Sequence, residues 1–198
     1  FWVVDGQSNL EELKSKLSSI MLRRTKQEVL KELPELTRSV VRVDLDNKSE
    51  YKLAQKELQT WLKLHGKTNR VTALTKIGYL RQVAGRGKIA ATTELAGEIL
   101  ASNPTGKLVV YAHYKDTVRA LAEAFAEYGV DTIVGEDSQT KRKATVTSFQ
   151  TKQVPRVLVI SSAGGEGIDL YRADNIIFVE LPWNPSSLEQ AEASLHRI

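Results

Sequence analysis

The sequence contains no cysteine. That absence removes disulfides, thiol nucleophiles and cysteine-based zinc sites together, and it suits a reducing compartment. No apolar run reaches the roughly 18 residues a membrane span needs. Nothing has the charged, apolar and small-residue order of a cleavable signal peptide. Phosphate-loop chemistry is missing too. The stretch His65-Gly66-Lys67-Thr68 offers Gly-Lys-Thr, but the first Gly of that motif would fall on Trp61, inside an expected helix. No G-x-G-x-x-G follows the first core strand, which counts against another kind of α/β nucleotide-binding enzyme, such as a glycosyl- or phosphotransferase. No Asp-Glu-x-His sequence occurs either.

What is present is a 198-residue chain, 41% hydrophobic, with a net charge of +4. That is enough for one large domain, or a domain with an appendage. The charge is unevenly spread. Residues 1–87 hold 17 Lys/Arg against 10 Asp/Glu, whereas residues 88–198 hold 11 against 14. The basic excess of the first part is what a neighbouring polyanion would select, and also what a solvated helical surface would show. The chain opens on Phe1 without a starting Met, so the expectation is a piece of a longer protein.

Ser8 and Asn9 are candidate caps for a helix starting at Leu10, with Leu13, Leu17 and Ile20 on its apolar face. A basic cluster follows at Arg23, Arg24 and Lys26. Residues 39–46 alternate, with Val41, Val43 and Leu45 on one side, and predict a half-buried strand. Residues 49–64 predict a helix with Tyr51, Ala54, Leu58, Trp61 and Leu62 along one stripe. A second helix is predicted over 69–83, broken by the Gly-Arg-Gly-Lys at 85–88.

From residue 88 the rhythm becomes strand–helix alternation. Apolar β-branched runs at 107–111, 130–134, 156–160 and 175–179 are separated by helical patterns at 115–128 and 138–149 and a long connection. That order predicts an α/β fold, a parallel sheet with helices on both faces, preceded by a mostly helical N-terminal segment. The boundary is placed at 87/88.

In open parallel sheets, ligands sit beyond the C-terminal strand ends. Three loops there carry candidate chemistry. His113 and Lys115 follow the first strand at a helix N-terminus, either an anion contact or an ordinary polar loop. Ser138 and Arg142 follow the second, Ser138 serving as helix cap or phosphate contact. After the third strand comes Ser161-Ser162-Ala163-Gly164-Gly165-Glu166-Gly167, then Asp169. Its glycines are costly in entropy, so they imply either a tight turn or a backbone laid against phosphate. Asp169 could accept from a ribose hydroxyl or cap a turn. Arg197 could stabilise a transferring phosphoryl group, or be a surface residue.

Five segments in register, IMLRRTKQEVLKELPE, KLVVYAHYKDTVRAL, IVGEDSQTKRKATVTSFQ, SSAGGEGIDLYRADNIIFVELPWNP and LEQAEASLHRI, resemble the Swi/Snf family of superfamily-two helicase-like ATPases. The match is to the second RecA-like lobe, with helicase motifs IV, V and the front of VI. The resemblance implies that Ser161, Ser162 and Gly164 lie along nucleic-acid backbone, with His113, Lys115, Ser138 and Arg142 on the same side. It implies that Gly167 and Asp169 face ATP, and that Gln190 and Arg197 reach it from across a cleft. DNA would be the partner, held mainly through phosphates. The other partner would be an absent first lobe carrying the phosphate loop and the Mg²⁺ ligands, so this chain alone is expected to be inactive. No metal ligand is assigned to this chain. Compartment stays open among cytoplasmic, nuclear and viral settings within a cell. One departure stands out: Ala193 and Ser194 occupy positions where the family has an acidic residue and an arginine. That favours the alternative, a non-catalytic DNA- or protein-binding module that keeps the lobe fold.

Overall fold

The computed structural model describes residues 8–22, 32–33, 35–65, 70–165 and 167–196. The chain divides into two units, 1–36 and 37–198. In the first, α1 (Leu10–Leu17) buries none of its residues. Its apolar face is exposed, with Leu10 and Leu13 each 52% accessible. The expected cap is not made. Asn9 stands at the N-cap with φ 57°, and its side chain accepts no helix N–H. The left-handed conformation turns the side chain away from the first turn, whereas capping residues occupy the β-region. The basic cluster Arg23, Arg24 and Lys26 lies outside the described residues.

The second unit begins with a stretch, 37–45, that has no regular secondary structure. The strand expected over 39–46 does not form there. The alternation is real, but among the described residues no strand pairs with it, and Val40 is 93% exposed. Two helices follow, α2 (Lys48–His65) and α3 (Arg70–Arg86), then α4 (Ile89–Ser102). On α2, Ala54 is buried and Tyr51 and Leu58 half-buried, as the stripe predicts. The side chains of Trp61 and Leu62 lie outside the described residues. Helix α3 runs through Gly85 rather than breaking before it. A Cβ on Gly85 would stand 1.9 Å from a Glu180 carboxylate oxygen, so the glycine serves close packing rather than a turn.

The rest alternates: β1 (Leu108–Ala112), α5 (Lys115–Ala124), a 3₁₀ turn at Ala126–Tyr128, β2 (Val130–Ile133), α6 (Gln139–Thr151), β3 (Val157–Ser161), β4 (Asn175–Phe178) and α7 (Pro185–Leu195). The four strands are parallel in the order β2-β3-β1-β4. The inner strands β1 and β3 are buried at every residue, because helices cover both faces. Side chains alternate across them. Leu108, Val110, Val157 and Val159 pack with Ala96, Leu100, Leu121 and Phe125 from α4, α5 and the residue after it. Val109, Tyr111, Leu158 and Ile160 pack with Phe149 of α6 and Ala191 of α7. Each buried Val, Leu, Ile or Phe side chain among them contributes about 1.5–3 kcal/mol.

At the N-terminal edge of the sheet, cations close helix C-termini. Lys107 is buried and its Nζ donates to the carbonyls of Phe149, Lys152 and Pro155 at 2.6, 2.6 and 2.7 Å. Arg156 likewise donates to Leu100 and Asn103 carbonyls at 2.9 and 2.8 Å. These contacts satisfy orphan carbonyls and suit the helix dipole. The opposite edge is left to the loops.

Candidate functional site

The loops beyond β1, β2 and β3 are joined to one another. His113 follows β1, and its ring Nδ1 lies 2.8 Å from Ser162 Oγ in the β3 loop. Burial and the nearby Arg81 guanidinium hold the imidazole below its ordinary pKa, so the ring is neutral at neutral pH. Lys115 opens α5 and pairs with Glu136 in the β2 loop. The residue before it, Tyr114, makes no side-chain cap, so the first α5 amides are left without one. The Tyr114 hydroxyl instead donates to the Gly78 carbonyl of α3 at 2.7 Å.

The β2 loop folds onto itself. Ser138 caps α6, its Oγ accepting from Lys141 N at 3.2 Å. Asp137 accepts from Val134 N at 2.8 Å and pairs with Lys141, and this bonding holds its carboxyl below the usual range against the opposing effect of burial. Arg142 turns back over the loop and donates to the Gly135 and Asp137 carbonyls at 2.8 and 3.1 Å.

The β3 loop is seated by its small residues. Ser161 Oγ accepts from Gly164 N at 3.2 Å, while the Ser161 carbonyl accepts from the same amide at 2.9 Å and from Gly165 N at 3.1 Å. A Cβ on Gly164 would stand 2.6 Å from the Ile133 carbonyl oxygen, and one on Gly135 would stand 2.8 Å from Ala163 Cβ. The β2 and β3 loops therefore touch main chain to main chain. The Ser162 carbonyl accepts from the Tyr111 hydroxyl at 3.2 Å. The candidates His113, Lys115, Ser138, Arg142, Ser161, Ser162 and Gly164 thus form one connected rim.

A second grouping lies toward α7. Gly167 adopts φ 71° and a Cβ there would meet nothing within 4 Å, which leaves room for a ligand beside the main chain. The Asp169 carbonyl accepts from Gln150 Nε2 at 2.7 Å, and Gln150 Oε1 accepts from Arg172 N at 3.1 Å, so one side chain splints residues 169–172. Leu170 N donates to the Ser194 carbonyl at 2.7 Å, which joins this loop to α7. Gln190 is exposed on α7. Ser194 is buried, its hydroxyl donating to the Ala191 carbonyl at 2.6 Å. Arg197 lies outside the described residues.

Two positioning elements were not legible in the sequence. Glu180, just past β4, is buried and accepts from His113 N at 2.8 Å and Thr117 Oγ1 at 3.1 Å. Burial raises its carboxyl above the ordinary range, partly offset by these donors and by Lys88 and Arg81. Arg81 donates to the Leu181 carbonyl and stacks over exposed Trp183, 4.1 Å from the ring centroid. A glutamate ending a short apolar run carries no local signal of burial. The one available hint was its place at the C-terminal end of a strand.

Residues 87–198 match the family model described as the helicase conserved C-terminal domain. Among curated relatives, the human "DNA annealing helicase and endonuclease ZRANB3" is 34% identical, the match covering 100% of this chain and 19% of that protein. The Drosophila melanogaster "SWI/SNF-related matrix-associated actin-dependent regulator of chromatin subfamily A-like protein 1" is also 34% identical, over 100% of this chain and 26% of its own length. The chain therefore spans about a fifth to a quarter of those relatives. Of solved structures, the Sulfolobus solfataricus SWI2/SNF2 ATPase core superposes with TM-score 0.71 at 23% identity, covering 94% of this chain and 43% of that one. The same core in complex with dsDNA gives TM-score 0.70 at 25% identity, covering 95% and 44%.

Proposed function

From the premise that this chain belongs to the helicase conserved C-terminal domain family, as the RecA-like second lobe of a Swi/Snf-type motor, we propose that it supplies the DNA-backbone grip and half of the ATP site of a DNA translocase. In this reading residues 88–198 are the lobe and residues 1–87 its helical lead-in. The connected rim carries the reading: His113, Ser162 and Gly164 tie three loops into one surface at the sheet's C-terminal edge.

The rim suits phosphate rather than bases. It presents the half-buried Ser162, a helix N-terminus at Lys115 and the partly exposed main chain of Gly165, while the buried Ser161 hydroxyl and Gly164 amide bond each other and shape the loop from within. Lys115 is 60% exposed, so its ammonium can leave Glu136 for a phosphate. Arg142 is committed to loop carbonyls, so its part is to hold Ser138 and Gly135 in place while its outer edge faces solvent. Contacts of this kind carry affinity without sequence preference and weaken with salt.

The ATP side is assigned to Gly167, Asp169, Gln190 and Arg197. Gly167 offers open space beside its main chain, which fits a nucleotide. ATP, when bound, brings the phosphoryl group to be transferred to water. Asp169 accepts from a ribose hydroxyl, Gln190 orients from exposed α7, and Arg197 meets developing phosphate charge. The phosphate cradle and Mg²⁺ ligands are assigned to the first lobe, since phosphoryl transfer needs both and this sequence has neither motif. Closure of the two lobes completes the site, and repeated closure moves the rim along one strand.

The test is Arg197→Ala in the intact protein. Steady-state ATP hydrolysis with saturating DNA is expected to fall by about 10³-fold or more, the range of arginine fingers, with DNA affinity little changed. Unchanged turnover would sink the assignment. Ser194, buried where the family has an arginine, favours a second reading, a non-catalytic module. Phosphate release by the intact wild-type protein, with and without DNA, separates the two.

A further inference from the structure

Arg38 and Glu192 are 154 positions apart, and their side chains meet in a two-pronged pair. Arg38 Nε donates to Glu192 Oε1 and Nη2 to Oε2, both at 2.7 Å. The pair is asymmetric. The Arg38 side chain is 65% exposed, whereas that of Glu192 is 8% exposed. A flexible surface arginine thus holds a carboxylate that has few other ways to be solvated. Fork-to-carboxylate geometry fixes direction as well as distance, which a lysine cannot do.

The two ends of this pair have different jobs. Arg38 sits near the start of the irregular stretch 37–45, a strap whose Val40, Val41 and Val43 are 93%, 55% and 38% exposed. Such a strap has little apolar burial to hold it. Its far end is fixed where Asp46 N donates to the Gly87 carbonyl at 2.9 Å. Glu192 is on α7, two residues after Gln190 and five before Arg197. Helix α7 is anchored on its other side by Leu170 N to the Ser194 carbonyl, beside Asp169.

We infer that Arg38 is a positioning residue for the nucleotide side of the lobe: by gripping Glu192 it sets the seat of α7, and hence the presentation of Gln190 on the helix that precedes Arg197 in the sequence. The strap is where the second unit begins, so the grip also makes the path into the lobe a mechanical line to α7. Moving the strap moves the helix. This inference rests on the assignment of Gln190 and Arg197 to the ATP site.

The test uses the intact protein, with steady-state ATP hydrolysis at saturating duplex DNA. Arg38→Gln removes the charge from an exposed position and leaves the core alone. Its kcat is expected to fall at least tenfold, with the KM for ATP and the DNA affinity within twofold of wild type, and with a lowered melting temperature that still leaves the protein folded at the assay temperature, since Glu192 loses its partner. Arg38→Lys is expected to restore only part of the loss. In an Arg197→Ala background, Arg38→Gln is expected to add no further loss, because groups acting as one unit are non-additive. Wild-type kcat in Arg38→Gln would overturn the inference, as would a fully additive loss. If Arg197→Ala itself leaves turnover intact, the site assignment fails instead. If Arg197→Ala abolishes turnover and Arg38→Gln does not change it, only the positioning role fails.

Discussion

A methyl group on residue 164 has nowhere to go. It would sit 2.6 Å from the Ile133 carbonyl oxygen and 2.9 Å from the carbonyl carbon, and neither is a mobile side-chain tip. Gly164→Ala therefore has to shift main chain at the end of β2 or in the β3 loop. Overpacking of this kind costs about 1–3 kcal/mol. The urea midpoint of the 198-residue chain is expected to fall accordingly, and an unchanged midpoint would show that the two loops do not touch. The neighbouring glycines have other reasons to be glycine. Gly165 faces the Tyr111 ring, and Gly167 needs its positive φ in open space. The glycine run thus signalled a requirement in the sequence, but each reason depends on what lies across the fold. Arg142 shows the same limit from the other side. Its guanidinium bonds main-chain carbonyls, and a carbonyl target leaves no trace in residue identity. Ser138 was readable because a cap is local, three residues from its donor.

At the scale of elements, β1 and β3 were legible because a strand covered on both faces needs a continuous apolar β-branched run. The strap at 37–45 was misread because alternation specifies a half-buried surface only where another strand offers an edge. Pairing is non-local, and among the described residues no strand pairs with it. Helix α3 passing through Gly85 has the same kind of cause, since Glu180 comes from beyond β4 to fill the space a side chain would take. Glu180 joins β4, the β1 loop and α5 in one knot, and its titration is testable. Burial makes the folded chain bind its proton more tightly than the unfolded chain does. Its contribution to stability is then full at low pH and is lost as pH rises through the raised folded value. Glu180→Gln keeps an acceptor for His113 N without the charge. The urea midpoint of the variant relative to wild type is expected to rise as pH increases above the ordinary carboxylate value. A difference independent of pH would mean that Glu180 is not strained by its burial.

For the whole molecule, the proposed division of labour between two lobes sets what this chain is expected to do alone. In the proposed reading it carries the rim and one side of the nucleotide site, while the cradle for the phosphates is assigned to the first lobe. Its family and fold were legible because five short motifs kept their order across the sequence, and order constrains more than any single motif. The charge asymmetry adds a physical handle. The excess of 17 Lys/Arg over 10 Asp/Glu lies in residues 1–87, ahead of the sheet. If both this part and the rim meet phosphate, binding to duplex DNA should release several counterions, and log affinity should fall linearly with log salt, by about 0.9 per phosphate neutralised. The 198-residue chain alone is therefore expected to bind duplex DNA weakly, with a steep salt slope and no sequence preference, and to release no phosphate from ATP above background. Fluorescence anisotropy across a salt series measures the first, and a coupled phosphate assay the second. Turnover by the isolated chain at the level of the intact protein would overturn the two-lobe reading. Binding indifferent to salt would instead retain the fold assignment and remove the phosphate grip from the rim.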